Sequence, residues 1–404
     1  MNNIYRKTAT FLSIAAALAM AETEGTPVVN AAGVKVAVYG FASLDAAYED
    51  SKSNNGNLSN YVSSSDLLNK NDGGWYLTPD LTRIGVNLSG PNVSPSIAVS
   101  GKIEVDFYGG GTEVNPVPRL RHGYGQVTFP GVGFTILGGQ TSDVISPLSA
   151  PVLNAGALQN SGNPGSRRAQ LRLSEVIPVG GGSLNIAAAV VRSVGVTQPY
   201  VTNSASETGS DADVPTFQGR VGVSLPLWVE KQKVNFGISG HYGTEEIDLD
   251  STGDTKNLPT WSLNGDLELP ILGFLSFVGE GFLGANLDAY FGNIGQGFTK
   301  TANPDDIKDV KGFGGWGAFR LNPSSSVTVN AGAGIDKVRH STIRETGGRE
   351  QNVSSFINAA YNITPAFKVG LEYFHIQTDY LLAGSNTVKE ADLNRYQLSL
   401  AYNF

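Results

Sequence analysis

The chain is 404 residues long, 40% hydrophobic and 16% charged, with a formal net charge of -8 and no cysteine. The absence of cysteine excludes disulfides, zinc thiolates and cysteine nucleophiles in one step and suits passage through an oxidising compartment, while the acidic balance argues against nucleic acid as a partner. Beyond the first thirty residues nothing approaches the roughly 20 consecutive apolar residues of a membrane-spanning helix, so a helical membrane protein is excluded.

In chain order, residues 1–21 are expected to be a secretory signal peptide. Arg6 and Lys7 form a basic start, Phe11 to Leu18 an apolar core too short to anchor, and Ala19-Met20-Ala21 an A-x-A cleavage site. Its removal takes away two positive charges and no negative ones, so -8 becomes -10. Residues 22–32 read as a short periplasmic spacer and 33–404 as one folded unit, since no charge run or Pro-rich linker divides them.

Within that unit about sixteen segments of about ten residues alternate apolar and polar, the length a tilted strand needs to cross a membrane. They fall near 33–48, 81–90, 96–108, 118–129, 133–142, 167–178, 183–193, 215–226, 233–244, 259–269, 273–285, 312–321, 326–338, 351–362, 366–379 and 393–404. Every second connection is short and rich in Pro or Gly, from Gly90-Pro91-Asn92 to Ile363-Thr364-Pro365, and reverses the chain. The others are long and polar, and carry much of the acidity: Glu245, Glu246, Asp248, Asp250, Asp305, Asp306 and Asp309. Solvated loop tips explain these acids; bridging of divalent cations to surface lipid is the alternative. Long loops alternating with short turns predict an all-β fold: one sixteen-stranded antiparallel transmembrane β-barrel with short periplasmic turns and long extracellular loops. A β-sandwich requires no such alternation.

Parity then sorts the charges. In the third segment Ile97, Val99, Ile103, Val105 and Phe107 share one face, and Lys102, Glu104 and Asp106 the other. A lipid-facing Arg or Lys costs roughly 2 to 4 kcal/mol at the bilayer midplane, so the charged face is the lumen. The same rule sends Arg83, Arg168, Arg172, Arg220, Arg320, Lys368 and Arg395 inward. Arg119 and Arg121 share parity with the apolar Val127 and Phe129; a bulge near Gly123 and Gly125 would absorb the slip and point both inward. Loop 143–166 is long, begins beside this arginine-rich segment and has no acid after Asp143, so it is expected to fold inward as a constriction. The expected constriction and anion-binding set is Arg83, Lys102, Arg119, Arg121, Arg168, Arg172 and Arg220, with Glu104, Asp106 and Glu175 as lumen acids. Forked guanidinium donors match carboxylates, which favours small anions. The competing reading is that these arginines merely pair with the wall acids.

The final segment places Tyr396, Leu398, Leu400, Tyr402 and Phe404 on one face and Arg395, Gln397, Ser399, Ala401 and Asn403 on the other. It resembles the closing strand of a bacterial outer-membrane barrel, whose terminal aromatic is read by the barrel-assembly machinery. The runs Leu81-Thr82-Arg83-Ile84-Gly85, Gly101-Lys102-Ile103-Glu104-Val105-Asp106-Phe107, Arg119-Leu120-Arg121-His122-Gly123-Tyr124-Gly125 and Gly138-Gly139-Gln140-Thr141, with Arg167, Arg172 and the opening Tyr39-Gly40-Phe41, resemble the DcaP-like porins. That resemblance covers about the first third of the exported chain and implies a homotrimeric channel for small carboxylated anions. It also implies an outer-membrane setting among lipid and lipopolysaccharide. Members of that family often carry a coiled coil before the barrel; Glu22 to Ala32 is too short for two heptads.

Other signals are weak. Gly312-Phe313-Gly314-Gly315-Trp316-Gly317 fits the dinucleotide fingerprint but lies inside a strand-like segment, so no cofactor is expected. His122, His241, His340 and His375 lack metal spacing, so no metal is expected. No serine sits in a nucleophile motif, which leaves a barrel hydrolase with His122 or His241 as the minor alternative to a diffusion porin or a more substrate-specific uptake channel.

Overall fold

The computed structural model describes residues 27–404 apart from 32, 68–71, 92–93, 111–115, 196–208, 213, 250–253, 300–302 and 304–306. The signal peptide expected at 1–21, the first part of the spacer, and Asp250, Asp305 and Asp306 lie outside the described residues.

Alternating side chains leave one face of every strand apolar, and only closure satisfies the backbone of both edges. The result is a barrel of sixteen antiparallel strands. They are β1 (Val34–Glu49), β2 (Gly74–Thr78 and Arg83–Ser89), β3 (Ala98–Asp106), β4 (Arg119–Phe129), β5 (Phe134–Ser142), β6 (Arg167–Val179), β7 (Gly182–Val191) and β8 (Thr216–Pro226). The second half comprises β9 (Lys233–Asp248), β10 (Thr255–Leu272), β11 (Leu275–Ala285), β12 (Lys311–Leu321), β13 (Val327–Val338), β14 (Gly348–Asn362), β15 (Phe367–Leu381) and β16 (Val388–Asn403). A short strand Pro27–Ala31 pairs back on Val34–Ala37, so the described part of the expected spacer continues the sheet.

β16 pairs with β1, Tyr396 opposite Tyr48 and Tyr402 opposite Ala42. The seam ends where Phe404 N–H donates to Gly40 O (3.0 Å) and Gly40 N–H to Phe404 O (3.1 Å). Tyr396, Leu398, Tyr402 and Phe404 are exposed on the outer face, with Leu400 half-buried among them, while Arg395, Gln397 and Ser399 are buried inside. The short turns are tight: Val179 faces Gly182 across Gly180-Gly181, whose positive φ values (52° and 81°) give a turn that continues the strand twist.

Two departures from the sequence pattern have physical causes. β2 has an upper part, Gly74–Thr78, paired with Asp45–Glu49 and separated from Arg83 by a turn in which Thr82 N–H donates to Pro79 O (2.8 Å). Ser43 N–H donates to Thr82 Oγ1 (3.0 Å), replacing the ladder bond lost at the break. β9 and β10 continue pairing to Asp248 and Thr255, beyond the apolar alternation. Glu245, Glu246 and Asp248 therefore lie in a strand rather than at a loop tip, and Glu245 is buried, accepting from Asn286 Nδ2 at 2.9 Å.

Candidate functional site: the lumen wall and its loop

The inner face differs around the circumference. On β11 to β15 it presents Val278, Trp316, Phe356, Phe374 and Ile376, all buried. Loop 143–166 lies on this apolar wall, with Ala150, Val152 and Leu158 in the same cluster. Two wall carboxylates hold its backbone. Glu280 accepts from Leu148 N–H (2.6 Å), Ser146 Oγ (2.5 Å) and Trp316 Nε1 (3.2 Å). Glu372 accepts from Leu153 N–H (2.6 Å), Asn154 N–H (2.8 Å) and Asn358 Nδ2 (2.9 Å). Asn358 also donates to Pro151 O (2.8 Å) and Asn352 to Asn160 O (2.8 Å). A hydrogen bond contributes roughly 0.5 to 1.5 kcal/mol and a buried donor left unpaired costs roughly 1 to 3 kcal/mol, so these anchors together fix the loop against that side. Gly334 permits the approach, since a Cβ there would collide with Ser161 O.

Counting strands, β3 lies eight places from β11, across the barrel, and its inner face is charged. Glu104 and Asp106 are buried at the centre of four cations. Arg121 donates from Nε to Glu104 (2.7 Å) and from Nη1 to Asp106 (2.8 Å), and Arg119 grips Asp106 with both Nε (2.9 Å) and Nη2 (2.7 Å). Lys102 Nζ stands 3.8 Å from Glu104, which also accepts from the Tyr39 hydroxyl at 2.7 Å. Arg83 Nε approaches Glu104 at 3.5 Å without hydrogen-bond alignment, and among the described residues its terminal nitrogens have no protein acceptor. Beneath the cations lie buried aromatic rings: Phe41 under Arg83 (5.3 Å), Tyr39 under Lys102 (5.1 Å) and Tyr108 under Arg119 (5.6 Å). Tyr39 and Phe41 stand in the opening motif of the sequence and share parity with Asp45 and Glu49, but their place under the cations was not legible there. Four cations surround two carboxylates, and the side chain of Arg119 remains 37% exposed.

The slip in β4 is a bulge. Glu104 faces His122 and Val105 faces Leu120, leaving Arg121 as the extra residue, just before the glycines where the sequence placed it. Arg119 and Arg121 both reach the inner acids while Leu120 is exposed outside.

The remaining expected residues do other things. Arg168 is buried, with Nε on Asp143 (3.2 Å), Nη2 on Ala289 O (2.6 Å) and its guanidinium 3.8 Å from the centre of the Tyr290 ring. It bolts loop 286–310 to the root of loop 143–166 and presents no free fork. Arg220 is neutralised by Asp266 through two bonds (3.1 and 2.6 Å). Arg172 donates to Gln170 Oε1 (2.9 Å) and to Ser142 O. Glu175, expected inside, shares a face with Leu173 and is aligned with Phe134 and Ile186, which is the outward parity. It lies beside the short-turn rim, where an outward carboxylate reaches water.

His122 Nδ1 meets Thr141 Oγ1 (3.0 Å), and His241 meets Ser262 Oγ (2.8 Å) and Thr260 Oγ1 (2.9 Å) while stacked on Tyr290. Ser262 is buried, and among the described residues no carboxylate pairs with His241. Gly312 to Gly317 lies within β12 and opens no helix.

No protein-family model matches the sequence, and no curated protein does. Solved structures do resemble the fold. The outer-membrane channel DcaP of Acinetobacter baumannii superposes with a TM-score of 0.70 at 18% identity, over 94% of this chain and 99% of that one. An anion-selective porin from Comamonas acidovorans gives 0.58 at 9% identity, over 92% and 100%. OmpF of Salmonella typhi gives 0.54 at 13%, over 94% and 100%. With correspondence over nearly the full length of both chains and a closed barrel of sixteen strands, this chain has the fold of the bacterial outer-membrane porins.

Proposed function

We propose that the chain is an outer-membrane porin, a water-filled channel for passive uptake of small hydrophilic solutes that prefers small anions such as carboxylates. The observation that carries this reading is the division of the lumen: loop 143–166 is anchored on the wall of Glu280 and Glu372, leaving the cation-rich wall of Arg83, Lys102, Arg119 and Arg121 across from it. The anion preference of the Comamonas acidovorans porin accords with it.

In this mechanism a carboxylate enters over Arg119, is passed to the unengaged fork of Arg83, and leaves because each contact competes with Glu104 or Asp106. At an effective dielectric between water and protein, a unit pair near 4 Å gains on the order of 1 to 4 kcal/mol, enough to bias entry without trapping. Guanidinium groups keep their charge throughout the physiological range. The homotrimer implied by the sequence resemblance is part of the proposal, with the apolar outer wall as the contact. Planar-bilayer recording tests the function: selective transport of one solute with negligible ion conductance would favour a substrate-specific channel instead.

A further inference from the structure

Loop 143–166 is not alone in the lumen. The loop after β1, residues 50–63, also turns inward, folded on itself as a narrow hairpin in which Asn54 N–H donates to Tyr61 O (2.9 Å) and Ser63 N–H to Lys52 O (2.8 Å). Groups on four neighbouring strands hold it. Val62 N–H donates to Thr378 Oγ1 (2.9 Å) and Val62 O accepts from the Tyr380 hydroxyl (2.5 Å), both on β15. Arg395 on β16 donates from Nη1 to Gly56 O (2.7 Å) and to Glu49 Oε1 at the end of β1 (2.6 Å). Asn57 Nδ2 reaches Asp80, in the turn of β2, at 3.3 Å. The hairpin therefore fills the sector of lumen in front of β15, β16 and β1, beside the wall of Arg83, Lys102, Arg119 and Arg121.

Its joint with loop 143–166 is tight. Val62 shares an apolar cluster with Ala150, Val152 and Leu158. Asn154 Nδ2 donates to Ser59 O (2.7 Å), and Gly156 lies so close that a Cβ there would stand 2.3 Å from Asn60 Oδ1 and 3.0 Å from Ser59 O. One wall residue serves both loops. Asn352, on the inner face of β14 and fully buried, donates from Nδ2 to Asn60 O (2.8 Å) on one loop, and to Asn160 O (2.8 Å) and Ser161 Oγ (2.7 Å) on the other. Its Oδ1 accepts from Thr378 Oγ1 (2.7 Å), the same hydroxyl that receives Val62 N–H. A primary amide supplies these donors and this acceptor from one short side chain, and buried backbone carbonyls require such donors.

We infer that loop 50–63 is a second constriction element and that Asn352 is the positioning residue that joins it to loop 143–166. With loop 143–166 alone, the sector in front of β15, β16 and β1 would stay open, and a solute using it would miss the arginines. Closing that sector sends solutes along the cation-rich wall. The inference rests on the channel reading, but the exclusion limit it concerns does not depend on which ions the channel prefers, so the two fail separately.

The test is single-channel recording in a planar bilayer with polyethylene glycols of graded size, whose entry into a pore lowers its conductance. Asn352→Leu removes the amide and leaves Asn60 O and Asn160 O without that donor, so the loops should part. Conductance should rise, and glycols that the unsubstituted channel excludes should enter. The chain has no cysteine, so Asn60→Cys with Gly156→Cys, added to that variant, introduces a single thiol pair. Oxidation should rejoin the loops and restore the original exclusion limit, and reduction should abolish the restoration, which a general loss of stability would not produce. An unchanged limit in the folded Asn352→Leu variant, or a raised limit that oxidation leaves raised, would overturn the inference. Should Asn352→Leu fail to insert, Gly156→Val, which forces the loops apart with Asn352 in place, is measured instead: the limit should rise, and an unchanged limit overturns the inference. A raised limit in a channel that prefers cations would uphold this inference and sink the anion preference.

Discussion

Leu148 donates its backbone N–H to Glu280 at 2.6 Å, binding the middle of an inward loop to a strand on the side of the barrel away from Arg121. With Glu372 holding Leu153 and Asn154, the anchors form a pair on one wall. Glu280→Leu combined with Glu372→Leu removes every carboxylate acceptor the loop has there. Each buried loop N–H left without an acceptor costs roughly 1 to 3 kcal/mol, so the loop should detach and single-channel conductance should rise and become noisy. Unaltered conductance in a normally folded double variant would show that the loop does not narrow the pore.

Gly334 provides a milder probe of the same contact. Gly334→Val places a side chain where Ser161 O now rests, displacing the loop without touching a charge. Its conductance should change in the same sense, with ion preference retained.

Arg168 and Arg119 separate structural from lumenal guanidinium groups. Arg168→Leu leaves Asp143 buried without its partner, a loss of roughly 3 to 5 kcal/mol, and should lower the unfolding temperature on heat-modifiable gels. Arg119→Gln touches a partly exposed side chain and should instead reduce anion preference with little change in stability.

Burial pushes the carboxyl of Asp288, in loop 286–310, up to about 6, against the opposing effect of the Ala289 N–H and the nearby Arg168. A carboxyl raised on folding favours the packed loop at low pH, and that advantage is lost as pH rises from its ordinary value near 4 through about 6. Limited proteolysis of this loop should accelerate across that window, and Asp288→Asn should flatten the dependence. PH-independent cleavage in the unsubstituted protein would remove the claim.

The seam predicts its own lesion. Deleting Phe404 removes both backbone bonds to Gly40 and an outward aromatic, so folded yield should fall; full insertion of the shortened chain would contradict the closing role of this strand.

Strand positions were legible because lipid and lumen impose a strict alternation: β3 reads apolar out and Lys102, Glu104, Asp106 in, as the structure has them. Legibility ended where the strands leave the bilayer. Gly74–Thr78 is too short to show a period after the long polar run before it, and the outer parts of β9 and β10 carry Glu245, Glu246 and Asp248, so both looked like loops. Within the site, parity located the cluster around Glu104 but could not say which arginines remain available. Arg168 and Arg172 have the same inward parity as Gln170, yet their donors are engaged by Asp143, Ala289 and Ser142, partners set by how two loops fold. Glu280 and Glu372 carried a signal, inward acids next to the inward apolar residues Val278 and Phe374, that becomes interpretable only once the loop is seen on top of them.

If the wall of Arg83, Lys102, Arg119 and Arg121 sets an anion preference, the zero-current potential in a salt gradient across a planar bilayer reports it. The unsubstituted channel should prefer anions, with the preference shrinking toward 1 M salt as the Debye length falls to about 3 Å. Arg83→Glu or Arg121→Glu should shift the potential toward cations, while Asp248→Lys, at the outer end of β9, should barely move it. A channel that already prefers cations, or arginine reversals that leave the potential unchanged, would rule out this wall as the source of selectivity.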